Sequence, residues 1–501
     1  MTAITGQKDA AQQDTGPRSG RDRPRASRAQ VWALVLASTG SFMVILDMMI
    51  VATALTAIRR SLHASIGGLE WTVNAYTLSF AVLLLTAAAL GDRLGRRRVF
   101  ASGLGLFALG SAACALSPNL GVLIAARVVQ GAGAAAVLPL GLALLNLAFP
   151  PGRRGWAIGV YGGITGTAAL AGPVLGGLIT QGLAWQWIFW VNVPIALVAM
   201  PFVLARLAES RAPSAGLDLV GVALAGVAVL GFAWGLVRGG TVGWASPEVV
   251  GAMCGGALFL VGFVLWERRT ASAMLPPRLF GSRGLATASL VIFCLMAVLS
   301  GSLFFAAQFL QVVQNQGPLG AGLRLAPWGL MPILLGPRAG AMINRIGERA
   351  LVLIGLAFET AGTAWLAFVA SPGVAYPELC AGFVLSGIGI SLAVPAATKA
   401  MAGSVAPADL GKASGAFSTM RQLGGAFGVA ILGAAFAVSG SYTSGHAYTV
   451  GFQHAMEAGV GLAVAGYAAA ALMPRTRRSS RMQGSNTAAQ APADGGRVSV
   501  G

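Results

Sequence analysis

The stretch Leu90-Gly91-Asp92-Arg93-Leu94-Gly95-Arg96-Arg97 sets a knot of charge between two nearly uncharged runs, at about 69–90 and about 99–116. Each run is long enough for a helix to cross about 30 Å of hydrocarbon. Inside lipid every backbone N–H and C=O must be paired within the chain, so such runs are helices or strands of a closed barrel. These runs are continuously apolar rather than alternating, which excludes the barrel. The stretch is therefore a short turn between two membrane helices. Gly95 permits a tight backbone there, and Asp92 can sit near a helix N-terminus or pair with an arginine. A second copy, Ile343-Asn344-Arg345-Ile346-Gly347-Glu348-Arg349, follows another apolar run. The shared pattern is Asp/Asn-Arg-x-Gly, the mark of an internal repeat of the kind from which transporters are often built.

The rest of the chain agrees. Of 501 residues, 56% are hydrophobic and 10% charged, against about 25% charged in a soluble domain. The net charge of +18 and the sequence pI of about 11.2 would suggest nucleic acid in a soluble protein. Here the arginines fall in short loops without interleaved aromatics, so membrane topology explains them and no nucleic-acid partner is expected. Arginine outnumbers lysine, and alanine and glycine are abundant, as in a GC-rich bacterial genome. Cys114, Cys254, Cys294 and Cys380 lie far apart in apolar runs and read as buried, unpaired thiols. No Cys/His spacing suggests a metal, and no cofactor is expected.

Spans are expected at about 31–58, 69–90, 99–116, 122–147, 156–181, 186–206, 218–237, 249–266, 285–313, 321–343, 350–369, 376–401, 414–438 and 453–473, fourteen in all. Residues 1–30 and 474–501 read as disordered tails. The arginine-rich segments all fall on one side if the span count is even: Arg18 to Arg28, Arg93 to Arg98, Arg153-Arg154, Arg268 to Arg283 and Arg475 to Arg481. The opposite loops 117–121 and 182–185 carry no charge, and Arg59-Arg60 is the exception. Both termini are thus expected in the cytoplasm of a bacterial cell. If the seventh and eighth spans are an insert, the repeated turns occupy the same place in two six-helix halves. The domains are then 31–206, a two-helix insert with linker at 207–284, and 285–473.

Further motifs sharpen this. The turn at 90–97 resembles the signature loop of the major facilitator superfamily. Arg127-Val128-Val129-Gln130-Gly131-Ala132-Gly133 resembles that superfamily's fourth-helix motif, and Gly172-Pro173-Val174-Leu175-Gly176-Gly177 its antiporter motif in the fifth. Leu46-Asp47 and the segment from Trp185 to Pro194 are similar to those of its fourteen-span drug:proton antiporter family 2, the EmrB/QacA type. The resemblance covers about residues 31–473. Ala88, Met49, Ala52, Thr56, Gln186 and Asn344 depart from the family pattern and leave substrate class and coupling detail open. The resemblance implies an all-α major facilitator fold, with two six-helix halves and two extra central helices. It also implies proton-driven export of small amphipathic or hydrophobic compounds by alternating access. The charged turn (Asp92, Arg93, Gly95, Arg96) would hold the halves in one conformation and release them in the other. Gly172, Pro173, Gly176 and Gly177 would suit a helix rocking between them, although glycines also suit plain packing.

Ionisable residues inside spans carry the chemistry. Asp47 sits mid-span, where a lone carboxylate costs about 2.5–3.5 kcal/mol. Desolvation favours the neutral acid, so Asp47 could take up and release a proton. Arg127 is its expected partner, and Glu359 a second candidate for proton coupling. Asn74, Tyr76, Gln130, Gln308 and Gln311 are expected to line a wet substrate cavity, with Gln314, Asn315, Trp71 and Phe305 nearby. His63, His446, His454 and Glu457 read as solvated loop residues. No GxxxxGK[ST] motif or Ser/His/Asp constellation is present, so ATP drive and enzymatic catalysis fit poorly. The alternative is an importer or facilitator of a small nutrient on the same fold. Small molecules, protons and the bilayer are the expected partners, and a monomer is expected to suffice.

Overall fold

The protein is described by a computed structural model covering residues 27–211, 218–270, 273, 275, 277–406 and 409–474. The tail expectations at 1–26 and 475–501 lie outside the described residues. Within them the chain is helical and contains no strand. The helices α1 (Arg28–Leu62), α2 (Ile66–Leu94), α3 (Arg96–Ala115), α4 (Leu120–Ala148), α5 (Pro151–Gly182), α6 (Trp187–Trp190) and α7 (Asn192–Arg206) come first. The pair α8 (Leu219–Val242) and α9 (Pro247–Arg269) follows, then a short 3-10 turn at Pro277–Gly281. The chain ends with α10 (Arg283–Val312), α11 (Pro318–Ile346), α12 (Glu348–Val369), α13 (Tyr376–Ala402), α14 (Leu410–Ala437) and α15 (Gly445–Ala471). With α6 and α7 taken as one segment, 13 are long and apolar enough to cross a membrane. α15 has the same length, although His446, Gln453, His454 and Glu457 dilute its apolarity, and it makes the fourteenth crossing. An even count returns the chain to the face on which it began, called here the terminal face.

Local chemistry sets the boundaries, and several differ from the sequence reading. α1 begins at Arg28 rather than Val31, because Ser27 and Gln30 form a capping box that satisfies two orphan N–H groups. Arg59 and Arg60 belong to the last turn of α1, where the helix dipole favours cations; this accounts for their place on the arginine-poor side. Gln314 and Asn315 lie beyond α10, and Asn315 adopts φ 51°. The sixth crossing breaks between α6 and α7 because Pro194 has no N–H to donate to the preceding turn. Gly95 (φ 114°) and Gly347 (φ 88°) end α2 and α11 in the same way, so the repeated motif is a repeated backbone turn.

α1 to α7 pack into one bundle, with α3 against α4 and α7, α2 against α4, and α1 against α4 and α5. α10 to α15 form another, with α12 against α13 and α15, and α10 against α14 and α15. The bundles meet through α5 with α11, α2 with α14, and α1 with α10. The pair α8–α9 is fixed to both through α8, which lies on α2 and α14.

Candidate functional site

Asp47 is wholly buried and Arg127 is 1% exposed. They form an ion pair at 2.5 Å from Arg127 Nη1 to Asp47 Oδ2. The other carboxylate oxygen accepts from Gln130 Nε2 at 2.8 Å and from Asn192 Nδ2 at 2.9 Å. Ser111 Oγ accepts a further bond from Gln130 at 2.7 Å. Arg127 Nε donates to the Thr72 carbonyl at 3.0 Å, and its guanidinium stands 4.2 Å from the centre of the Tyr76 ring. Five helices thus contribute: α1, α2, α3, α4 and the start of α7. The break at Pro194 delivers Asn192, since it turns the chain inward at membrane depth. The carboxylate is matched by charge and by three donors, the condition under which a buried pair is tolerated. Every neighbour of its oxygens donates, so a proton arriving on Asp47 requires a new acceptor. Asn192 Oδ1 is buried and has no partner among the described residues, and rotating that amide would present it.

Beside the pair, Met48, Met49, Tyr76 and Arg127 from one bundle and Ser300, Phe304 and Gly425 from the other enclose a cavity of about 40 Å³. That holds about two or three waters.

The expected cavity residues do not stay together. Tyr76 lines this cavity. Gln130 is absorbed into the Asp47 network. Asn74 is buried, and neither of its amide atoms has a partner among the described residues. Gln308 and Gln311, both on α10, are buried within the protein, because Tyr442 covers the first and α1 packs on the second. Gln308 accepts from the Tyr442 hydroxyl. Gln311 accepts from the Thr56 hydroxyl and donates to the Thr53 carbonyl at 3.1 Å. Trp71 packs on Trp234 of α8 at 5.8 Å, and Phe305 stacks on Phe436 at 4.9 Å, so neither lines the cavity. Glu359 is buried between α12 and α13, away from Asp47, and both its oxygens lack partners among the described residues. His446, His454 and Glu457 are on α15 rather than in a loop, and His454 Nδ1 is buried. Cys254 is exposed on α9, not buried.

The fifth-helix motif divides its glycines between two neighbours. Gly172 and Gly176, four residues apart and so on one face, let α5 lie on Met49, Ile50 and Thr53 of α1. Gly177 faces the other bundle: a Cβ there would stand 2.6 Å from Leu319 Cα and overlap the Pro318 carbonyl oxygen. Gly322 meets the Pro173 carbonyl reciprocally. Towards the terminal face the two helices diverge, and a Cβ on Gly159, Gly162, Gly163, Gly166, Gly336 or Gly340 would meet nothing within 4 Å. The opposite face is shut in addition by Arg59 stacked 3.9 Å over Tyr442 and by Glu70 against Gly433.

In the charged turn, Asp92 Oδ1 accepts from Arg96 Nε at 2.7 Å, and Arg93 is exposed. Glu209, just beyond α7, accepts from the Arg97 backbone N–H at 3.0 Å and holds the turn to its own bundle. Glu209 is not singled out by sequence, nor are Glu70 and Arg421. Glu70 is 2% exposed, and its Oε2 has no partner among the described residues. Arg421 on α14 lies within electrostatic range of Tyr161 on α5. The available signal was a charge within an otherwise apolar run; Glu70 stands so close to the end of its run that it reads as interfacial.

The sequence profile of the Major Facilitator Superfamily matches residues 37–323 and 288–497. The chain is 35% identical over 412 residues to the tetracenomycin C resistance and export protein of Streptomyces glaucescens, covering 81% of this chain and 76% of that protein. It is 36% identical over 449 residues to the cephamycin export protein CmcT of Amycolatopsis lactamdurans, covering 88% and 91%. Among solved structures, a D-xylose-proton symporter shares the fold with a TM-score of 0.63 at 14% identity, over 88% of this chain and 97% of that one.

Proposed function

This chain belongs to the major facilitator superfamily, a multi-pass membrane transporter of small molecules rather than an enzyme, and from that premise we propose that it exports drug-like compounds in exchange for protons. Export is supported by relatives named for antibiotic resistance and export, at 34–36% identity and 80–88% coverage of this chain. The buried Asp47–Arg127 pair beside a cavity shared by both bundles supports proton coupling. In this reading a proton on Asp47 discharges the carboxylate, frees the Arg127 guanidinium and weakens the tie between α1 and α4. Asn192 supplies the acceptor for the new O–H. Substrate enters between the diverging halves, 31–206 and 285–473, and leaves once the face closed by Gly177 and Gly322 has opened. Glu359, remote from this centre, is a second proton candidate. Asp92 and Arg96, bonded to each other here, are free to engage the other half when the terminal side closes. Met48, Met49 and Phe304 give the cavity adaptable apolar walls, which suits an amphipathic or hydrophobic substrate better than a sugar-like nutrient.

Inverted membrane vesicles test the proposal. A panel of antibiotics and dyes is expected to include compounds that accumulate only under an imposed proton gradient, and Asp92→Ala is expected to slow that uptake at normal expression. Accumulation indifferent to the gradient would favour the facilitator reading. We place both termini in the cytoplasm of a bacterial cell, as the clustered arginines require. Reporter fusions at Ser117 and after Met473 are then expected on opposite sides, and a shared side would refute the topology. Protons and the bilayer are the other partners in this reading; neither nucleic acid nor a second copy is required.

A further inference from the structure

Behind α9 lies a cavity of about 520 Å³, separate from the Asp47 site and bounded by α2, α8, α9, the 277–281 turn and α14. Its walls are apolar, with Val82, Phe263, Phe280 and Met420 among them, except for two groups. Arg268 is exposed at the terminal-face end of α9 and makes no hydrogen bond or ion pair among the described residues. The Thr419 hydroxyl is buried in the wall and has no partner among the described residues either. α9 is the least buried crossing, at 11%, so the space behind it borders the bilayer. We propose that this is a binding site for an anionic phospholipid, with one acyl chain in the cavity and the phosphate on Arg268.

The chemistry selects this occupant. A void of this size left empty forfeits the dispersion contacts of its walls, and water finds too few polar partners there to fill it. Lipid tails are present at that depth at very high concentration. Arg268, the one cation in the described lining, lies at the level where headgroups stand and matches a phosphate. The Thr419 hydroxyl is placed for an ester carbonyl of the same molecule. A chain seated here fills the gap between α9 and the α2–α14 pair. Those two helices meet from Glu70 against Gly433 to Leu85 against Gly415. The lipid thereby bears on a contact that the two bundles must shift to exchange faces. The inference does not depend on the export reading, since lipid retention is measured without transport.

The test is native mass spectrometry of the purified full chain, stripped of lipid and then given phosphatidylglycerol or phosphatidylcholine. One phosphatidylglycerol is expected to remain bound preferentially. Arg268→Gln should weaken retention about fivefold, the effect of one basic residue near an anionic surface. Arg269→Gln, one residue on, should leave it unchanged. Ala225→Phe and Val82→Phe, apolar fillings from two different helices, should expel the chain, so misfolding of one variant leaves the other informative. Equal retention by Arg268→Gln and the unaltered chain, or equal loss from Arg269→Gln, overturns the proposal. Displacement of the lipid by an exported compound overturns it in favour of a substrate entry site.

Discussion

Asp47→Asn is expected to reduce proton-driven export to the level of empty vesicles. The substitution keeps size and polarity but removes the only group in the network that can bind a proton and lose its charge. Passive exchange of substrate down its own gradient is expected to survive. Taken alone, an amide is cheaper to bury than a carboxylate, which would spare folding. The partner decides otherwise. Arg127 is 1% exposed and Asp47 is its only ionic partner among the described residues, so the amide leaves a buried guanidinium uncompensated. Breaking a buried pair from one side costs about 3–5 kcal/mol. Removing both charges, as in Asp47→Asn with Arg127→Gln, avoids that cost. The double variant is therefore expected to regain most of the thermal stability lost by the single one, while neither couples protons. Substrate-evoked proton release in proteoliposomes from about pH 5 to about pH 9 reads the coupling across the titration range of carboxylates and histidines. Thermal unfolding of the purified protein reads the stability. Full proton-coupled transport by Asp47→Asn would sink the assignment and move it to Glu359.

Gly177→Leu is expected to abolish transport by a different route. In the closed arrangement α5 and α11 touch backbone to backbone at Gly177 and Gly322, and a side chain at Gly177 would have to occupy the space of Pro318 and Leu319. Main chain cannot rotate aside as a side chain can, so the variant holds this face open rather than repacking. The overlap lies between bundles and not within one, which leaves each core intact; comparable overpacking inside a core costs about 1–3 kcal/mol. Gln311, buried here against Thr53 and Thr56, reports the state. A cysteine at Gln311 in a chain lacking the native cysteines is expected to react with an impermeant thiol reagent from that face far faster in Gly177→Leu. Gly251→Leu, on α9 outside both bundles and in open space, is the control expected to transport normally. Full turnover by Gly177→Leu would show that the face does not close by this contact.

Much of this was legible in the chain itself. Apolar length decided that the protein is a membrane helix bundle, because no other spanning structure pairs every backbone group over continuous apolar runs. The turn at 90–97 and its copy at 343–349 were legible because positive φ is reserved for residues such as glycine, and both glycines adopt it. The charges of Asp47 and Arg127 were conspicuous because the hydrocarbon tolerates so few, and each needed a partner. Beyond that, distance in sequence hid what distance in space decides. Gln130, Asn192 and Ser111 complete the acid's shell from three helices, and an amide or hydroxyl is common enough in spans to give no warning. Gln308 and Gln311 read as cavity lining, yet they are sealed, since burial of a neutral polar group depends on which helices close over it. The fifth-helix glycines announced close packing but not which neighbour each one faces. One residue turns a helix by 100°, so Gly176 meets its own bundle and Gly177 the other, and only the assembled bundles determine which contact must part for the protein to open.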